Sequence, residues 1–226
     1  MNRLKLMAVV TVIGAFASGA ALLAQELLDL NQAGALMRRN QEEIRQYSWD
    51  TKMTFLINDE PRRTDTYRVR YVMGGQIEKM QIDSEVAKGK VRGPDGKKLK
   101  KDDLEVARQF VVDVKNQLDG YLNPLFAEKA VKTATARAEG GKLILESKDV
   151  MTTGDSVVIT LDRATKRPVA ADIKTTVEET PVSLDVTFDS IEYGPNYVAK
   201  SITTSAWRGM PLAIITENSN YKLGGR

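Results

Sequence analysis

The sequence predicts an α+β protein in which an antiparallel β-sheet carries helices on one face. From residue 142 to residue 223, apolar and polar residues alternate, interrupted only by short turns. A shorter alternating stretch runs from residue 47 to residue 83, and between the two lies a segment with helical spacing. Side chains alternate between the two faces of a strand, and short turns join antiparallel neighbours. These patterns therefore indicate two meanders with helices packed against them.

The N-terminal stretch from Met1 to Ala24 has the composition of a secretory signal. Arg3 and Lys5 precede an apolar run, and small residues follow it. This order predicts export to the periplasm with cleavage near Ala20 or Ala24. An uncleaved membrane anchor is the alternative, because the apolar span is nearly long enough to cross a bilayer. We favour cleavage, since the small residues lie where a signal peptidase requires them.

The remainder, residues 25–226, is expected to form a single domain that begins with a helix from Gln25 to Gln46. The spacing of apolar residues then changes from helical to alternating, which predicts strands. A turn over residues 58–61 and a tight hairpin at Gly74–Gly75 separate these strands. The second predicted strand runs from Tyr67 to Met73 and the third from Gln76 to Asp83. The first is marked by the alternating residues Tyr47, Trp49, Thr51, Met53, Phe55 and Ile57.

The segment from Ser84 to Lys101 is basic and surrounds a turn-forming Gly-Pro-Asp-Gly sequence. One interpretation is a solvated turn between sheet and helix. The other is contact with an anionic surface, such as lipid headgroups or a negatively charged partner, through Lys97, Lys98, Lys100 and Lys101. Nucleic-acid binding is not expected, because no aromatic residues interleave these lysines.

A helix is predicted to follow, with Asp102 or Asp103 as its cap and with Gly120 and Pro124 ending it. Its apolar residues recur at spacings of three and four and form one stripe. This helix either closes a core or acts as a lid over an apolar groove, and we favour the lid. The stripe comprises Leu104, Ala107, Val111, Val114, Leu118 and Tyr121, widened by Phe110.

The chain from Leu125 to Ala138 has a partly helical pattern, and Gly140–Gly141 predicts a turn before the second meander. The strands of that meander look long, roughly ten residues where five or six are usual, and long strands tend to twist and curl. They are marked by Val157 to Leu161, Val169 to Val177, Val182 to Phe188, then Val198, Ile202, Thr204 and Ala206, and finally Leu212 to Tyr221.

The composition restricts the chemistry available to this chain. It contains no Cys and no His, which removes thiol nucleophiles, disulfides, histidine bases and most transition-metal sites. The formal charge is +3, or +1 without Arg3 and Lys5, so no global basic field is present. Neighbouring carboxylates lie in polar faces and turns, where solvated acids are normal. We therefore expect neither an enzyme nor a cofactor or metal site.

Two sequence features resemble the LolA-like family of periplasmic lipoprotein carriers and its relatives in outer-membrane lipoprotein sorting. One is Tyr47-Ser48-Trp49, which opens the first strand after a helix; the other is the run from Thr160 to Val169, where a polar turn and Pro168 lead into the next strand. The resemblance implies a strongly curved antiparallel sheet, an unclosed half-barrel with helices on its concave face. It also implies that acyl chains or lipid-like ligands bind there.

The leading hypothesis is a periplasmic carrier that sequesters an acyl chain, a lipid or a lipoprotein in an apolar concavity. We expect lipid or lipoprotein acyl chains as partners, with envelope membrane proteins as a further class. The alternative is an exported interaction or sensing module with the same fold, a filled core and no ligand. The residues predicted to line the concavity are Phe110, Val114, Leu184, Val186 and Phe188.

Overall fold

The computed structural model describes residues 32–72, 75–121 and 124–224, without the side chains of residues 119 and 124–128. The predicted signal in residues 1–24 and the beginning of the predicted helix 25–46 lie outside these residues. Helix α1 covers residues 32–44 and leads directly into the first strand. No helix in the described ranges is both long and apolar enough to span a membrane.

Within the described residues, ten strands form one sheet, and its antiparallel pairing is what the alternation predicted. The order β3-β2-β1-β10-β9-β8-β7-β6-β5-β4 leaves β3 and β4 as its edges, so the sheet is unclosed. Helices α2 (Lys101–Tyr121) and α3 (Pro124–Thr133) connect β3 to β4. The strands are β1 (Tyr47–Ile57), β2 (Glu60–Tyr71), β3 (Ile77–Val86), β4 (Thr135–Glu139), β5 (Lys142–Lys148), β6 (Ser156–Asp162), β7 (Pro168–Val177), β8 (Thr180–Ser190), β9 (Asn196–Trp207) and β10 (Met210–Leu223).

The first and last strands of the chain join the two meanders into one sheet. β1 pairs with β10 over its whole length, from Tyr47 opposite Leu223 to Ile57 opposite Leu212. All other pairings are between strands that follow one another in the sequence. The pairing of β1 with β10 therefore fixes the N-terminal strands beside the C-terminal meander.

Tight turns lie where the sequence predicted them. Asn58 and Asp59 between β1 and β2 have φ angles of 52° and 61°, and Glu178 and Glu179 between β7 and β8 have 48° and 64°. Two successive positive φ angles are the geometry of a two-residue hairpin whose twist matches that of its strands. These turns set the register of the long strands on either side.

The partly helical interpretation of residues 125–138 was wrong at its C-terminal end. α3 ends at Thr133, and Thr135–Glu139 forms β4, the edge strand paired with β5. Gly140 has a φ of 58° in the two-residue turn that reverses the chain. The sequence of β4 has five residues, two of them alanine, and this pattern is too short to be recognised as a strand. In the folded protein, pairing with β5 stabilises β4.

The predicted N-terminal cap of the long helix was also wrong, whereas its C-terminal end was predicted to within one residue. The N–H of Leu104 bonds to the carbonyl of Lys100 at 3.1 Å, so α2 begins at Lys101 and both aspartates lie inside its first turn. Carboxylates there still interact favourably with the positive end of the helix dipole. At the other end, Gly120 is helical, and α2 ends one residue later at Tyr121.

The stripe of α2 packs on the inner face of the sheet, the face that carries the core. Val112, on the opposite side of the helix, is 46% exposed. Burying one side chain of this size contributes about 1.5–3 kcal/mol. The stripe residues that are less than 6% exposed are Ala107, Phe110, Val114, Leu118 and Tyr121.

A candidate ligand cavity

A cavity of about 930 Å³ lies between the sheet and the two helices α1 and α2. Its walls come from the inner face of the sheet, from residues 37–45 at the end of α1, and from the C-terminal half of α2. The volume is near the upper end of the range of about 300–1,000 Å³ that is usual for small-molecule sites. The cavity is therefore large enough for a ligand with an extended apolar part.

The wall formed by β6, β7 and β8 is entirely apolar. Alternate residues of these strands face the cavity, and their neighbours face solvent on the other side of the sheet. Leu184, Val186 and Phe188, three of the predicted lining residues, belong to this wall. It comprises Val157, Ile159, Pro168, Ala171, Ile173, Leu184, Val186 and Phe188.

Phe110 and Val114, the other two predicted lining residues, lie elsewhere. Each is 3% exposed and belongs to the core between α2 and the sheet, outside the described lining of the cavity. The helix residues that face the cavity lie further along α2, at Lys115, Leu118 and Tyr121. Helical periodicity identified the buried stripe of α2, but the stripe is longer than the part that meets the cavity.

The wall formed by β1, β9 and β10 carries hydroxyl and amide groups that sequence reasoning did not identify. The Thr51 hydroxyl donates to the Asn218 side-chain oxygen at 2.6 Å, and the Asn218 amide donates to the Val198 carbonyl at 2.8 Å. Ser201 and Thr203 are 7% and 8% exposed and line the cavity.

A β-bulge explains why the sequence pattern of β9 was misleading. Thr187 pairs with Lys200, but Phe188 pairs with Val198, so one residue of β9 is left without a partner opposite. Such an extra residue reverses which side chains face inward along the rest of a strand. Ser201 and Thr203 consequently face the cavity, while Ile202, used to recognise the strand, does not line it.

Four aromatic residues form a cluster at one end of the cavity. Trp49 stacks on Tyr221 with ring centres 5.5 Å apart, and it also contacts Tyr71 at 5.7 Å. Tyr197 contacts Tyr221 at 4.2 Å. Burial, together with the neighbouring Tyr197 and Tyr71, raises the pKa of Tyr221, so its hydroxyl stays neutral. Trp49, one of the alternating residues that marked the first predicted strand, thus contributes to the cavity lining.

Helix α1 is attached to the sheet beside the cavity by a pair of asparagines. The side-chain amide of Asn40 donates to the Asn196 carbonyl at 2.9 Å, and its oxygen accepts from the Asn196 N–H at 2.5 Å. The Asn196 side chain donates in turn to the Pro168 carbonyl at 3.0 Å. These bonds hold the last turns of α1 against the beginning of β9.

Helix α2 is attached at the other side by its last turns. The Gln117 amide donates to the hydroxyl of Thr175 and to the carbonyl of Thr176, each at 3.0 Å. Tyr121 donates to the buried Asp155. These bonds do not support the predicted lid, because opening would break hydrogen bonds and expose the buried stripe. These bonds attach the last turns of α2 over one side of the cavity.

The charged residues in the described lining are all cations: Arg45, Lys79 and Lys115. The four lysines of the basic segment, by contrast, are exposed and lie outside the described lining. Lys97, Lys98 and Lys100 lie on the loop before α2, and Lys101 is the first residue of that helix. That loop folds into a small hairpin, in which Lys97 lies 3.6 Å from Asp95. No cluster of three or more Asp or Glu residues in the described ranges is arranged to hold a metal ion.

The fold and cavity together define a protein with an open antiparallel sheet and helices over an internal, mainly apolar space. No family model matches this chain, and no curated protein is significantly similar to it in sequence. Among solved structures, the chain is similar to a LolA superfamily protein from Nitrosomonas europaea. The sequences are 14% identical, the alignment covers 88% of this chain and 93% of that one, and the TM-score is 0.39.

Proposed function

We propose that this protein is a carrier that sequesters an acyl chain, of a lipid or a lipoprotein, in the cavity between the sheet and α1 and α2. The observation that carries this proposal is the continuous apolar wall of β6, β7 and β8 in a cavity of about 930 Å³. Each CH₂ group removed from water contributes about 0.8 kcal/mol, so a long chain could bind tightly without specific polar contacts. The protein would act by burial and transfer, not by catalysis.

The proposal includes a LolA-like arrangement, in which the helix-bearing face is the concave side of a curved half-barrel. It also places the mature protein in the periplasm, where a carrier would move acyl chains between membranes with envelope membrane proteins as partners. The signal-like sequence of Met1 to Ala24 supports this location. N-terminal sequencing of the envelope fraction should find a mature chain beginning near Ala21 or Gln25; a full-length chain in the inner membrane would contradict cleavage.

A substitution inside the cavity tests the proposal directly. Ala171 lines the apolar wall, whereas Ala170 faces the other side of the same strand. Ala171→Phe should weaken binding of a fluorescent long-chain fatty acid at least fourfold, because displacing one CH₂ costs about 0.8 kcal/mol. Ala170→Phe is the matched control and should bind as the unchanged protein does.

The alternative, an interaction or sensing module without a ligand, predicts different results. Such a protein would bind no fatty-acid probe, and lipid extraction of the purified protein followed by mass spectrometry would find no acyl compound. Absence of both signals in a protein that unfolds cooperatively would reject the carrier.

A further inference from the structure

We infer that the occupant of this cavity is an anionic amphiphile, whose acyl chain lies on β6–β8 and whose negatively charged headgroup lies toward Arg45, Lys79 and Lys115. The inference rests on the proposed carrier function and adds the chemical class of the ligand. Two independent features support it: the charges in the lining and the hydroxyls of β9.

The first feature is the sign of the charges. Arg45 follows α1, Lys79 lies on β3 and Lys115 lies on α2, so three separate elements each bring one cation to the cavity. No Asp or Glu occurs in the described lining, although acids make up 30 of the 226 residues. A cavity with cations and no acids favours a negative ligand group over a neutral or positive one.

Two of these cations lie at the aromatic end of the cavity. Lys79 is opposite Val69, which is opposite Trp49, so the three form one row across β3, β2 and β1. A Cβ at Gly75 would lie 3.7 Å from the guanidinium carbon of Arg45. Gly75, Arg45 and Lys79 all line the same cavity. The absence of a side chain at Gly75 leaves room beside the guanidinium for a headgroup.

The second feature is the pair of hydroxyls at Ser201 and Thr203. Both residues are more than nine-tenths buried and line the cavity. A hydroxyl in the wall of a cavity can donate a hydrogen bond to a ligand oxygen and accept one from a ligand donor, so these two residues favour oxygen atoms of a ligand at this wall. They lie on the β9 side, whereas the β6–β8 wall is apolar throughout. The division of the walls thus matches an amphiphile with an oxygen-bearing half and a hydrocarbon half.

A series of ligands with one chain and different headgroups tests the inference. Palmitate, hexadecyl phosphate, hexadecanol and hexadecyltrimethylammonium would be titrated below their micelle concentrations, with binding measured by calorimetry and native mass spectrometry. The two anions should bind about tenfold more tightly than the alcohol, and the cation most weakly. The preference should decrease as salt is raised, because ions screen exposed charges. The ratio of carboxylate to phosphate affinity separates a fatty acid from a phospholipid-like source.

Variants that remove one charge each show which cations cause the preference for anionic headgroups. Arg45→Gln, Lys79→Gln and Lys115→Gln should each lower palmitate affinity about twofold to fivefold and leave hexadecanol unaffected. The control is Lys142→Gln with Lys148→Gln, on the exposed positions of β5. Equal affinity for all four headgroups would overturn the headgroup assignment while the carrier function stands. Binding of none of them would overturn both.

Discussion

The hydroxyl of Tyr121, the last residue of α2, donates a hydrogen bond of 2.7 Å to the Oδ2 atom of Asp155. Asp155 is 2% exposed and also accepts hydrogen bonds from the backbone N–H groups of Val150, Met151 and Thr152. A buried carboxylate is costly unless it is fully hydrogen-bonded. The same interaction therefore satisfies the charge and fixes the end of the helix beside the cavity.

Tyr121→Phe should lower the free energy of unfolding by about 1–3 kcal/mol, because the buried carboxylate loses a donor and nothing replaces it. Urea denaturation measures the change. Tyr197→Phe is the control, since its bond to Asp189 is exposed and 3.4 Å long. We expect the control to change stability by less than about 0.5 kcal/mol. Equal effects of the two substitutions would contradict the special role of Tyr121.

The same carboxylate should make stability depend on acidity. Desolvation tends to raise the pKa of Asp155, but the backbone N–H groups and Tyr121 outweigh it and hold the pKa below its ordinary value. A lowered pKa means that the stabilisation is present above about pH 4 and is lost as pH falls through the folded-state pKa. Asp155→Asn should therefore flatten the acid limb of a plot of stability against pH. An unchanged acid limb would show that other groups control it.

Substitution of Val114 distinguishes a helix that stays packed on the sheet from a helix that opens as a lid. Val114→Asp would place an unpaired charge in the core, at a residue 3% exposed, and should abolish cooperative unfolding. Val112→Asp is a matched control on the same helix at a residue 46% exposed, and it should remain folded. Circular dichroism melting compares the two. A cooperative transition for Val114→Asp at the normal temperature would support a helix that opens.

Asp172 and Asp185 form a pair of like charges directly opposite each other on β7 and β8. Desolvation, and then the hydrogen bond and charge of Asp185, raise the pKa of Asp172. Stability from this site is therefore present at low pH and is lost as pH rises through the raised pKa. Asp172→Asn should increase stability at pH 7 by about 0.2–1 kcal/mol and change it little below about pH 4. Thermal melting at the two pH values tests this, with Glu85→Gln as an exposed control that should show no gain.

The asparagine pair should control how firmly α1 covers the cavity. Asn40→Ala removes both bonds to Asn196 and leaves backbone groups of a residue 5% exposed without these partners. We expect a loss of about 1–3 kcal/mol and faster hydrogen exchange in residues 32–44. Arg39→Ala removes only an exposed ion pair with Glu43 and is the control. Unchanged exchange in Asn40→Ala would show that apolar packing alone holds α1.

Within single helices and strands, the sequence was sufficient to predict the type of element and the face that it buries. The alternation from Tyr47 to Ile57 predicted the strand and its inward face, and the stripe of α2 contains the buried residues of that helix together with the half-buried Leu104 and Val111. Two-residue turns such as Glu178–Glu179 were visible as polar interruptions. These features depend on periodicity and on local backbone geometry, which neighbouring residues determine. The antiparallel class of the sheet follows from the same local information.

The tertiary structure decided the features that depend on partners distant in sequence. Alternation in β1 does not specify its neighbour, and only pairing with β10 joins the two meanders. The bulge in β9 directs the side chains of Ser201 and Thr203 into the cavity. The sequence pattern did not show this bulge, because it depends on the register of β9 against β8 and not on the residue types of β9. Phe110 and Leu184 are both buried in the core, yet of the two only Leu184 also lines the cavity. A cavity between helices and strands depends on how these elements pack together, and the pattern of residues along the chain does not specify that packing.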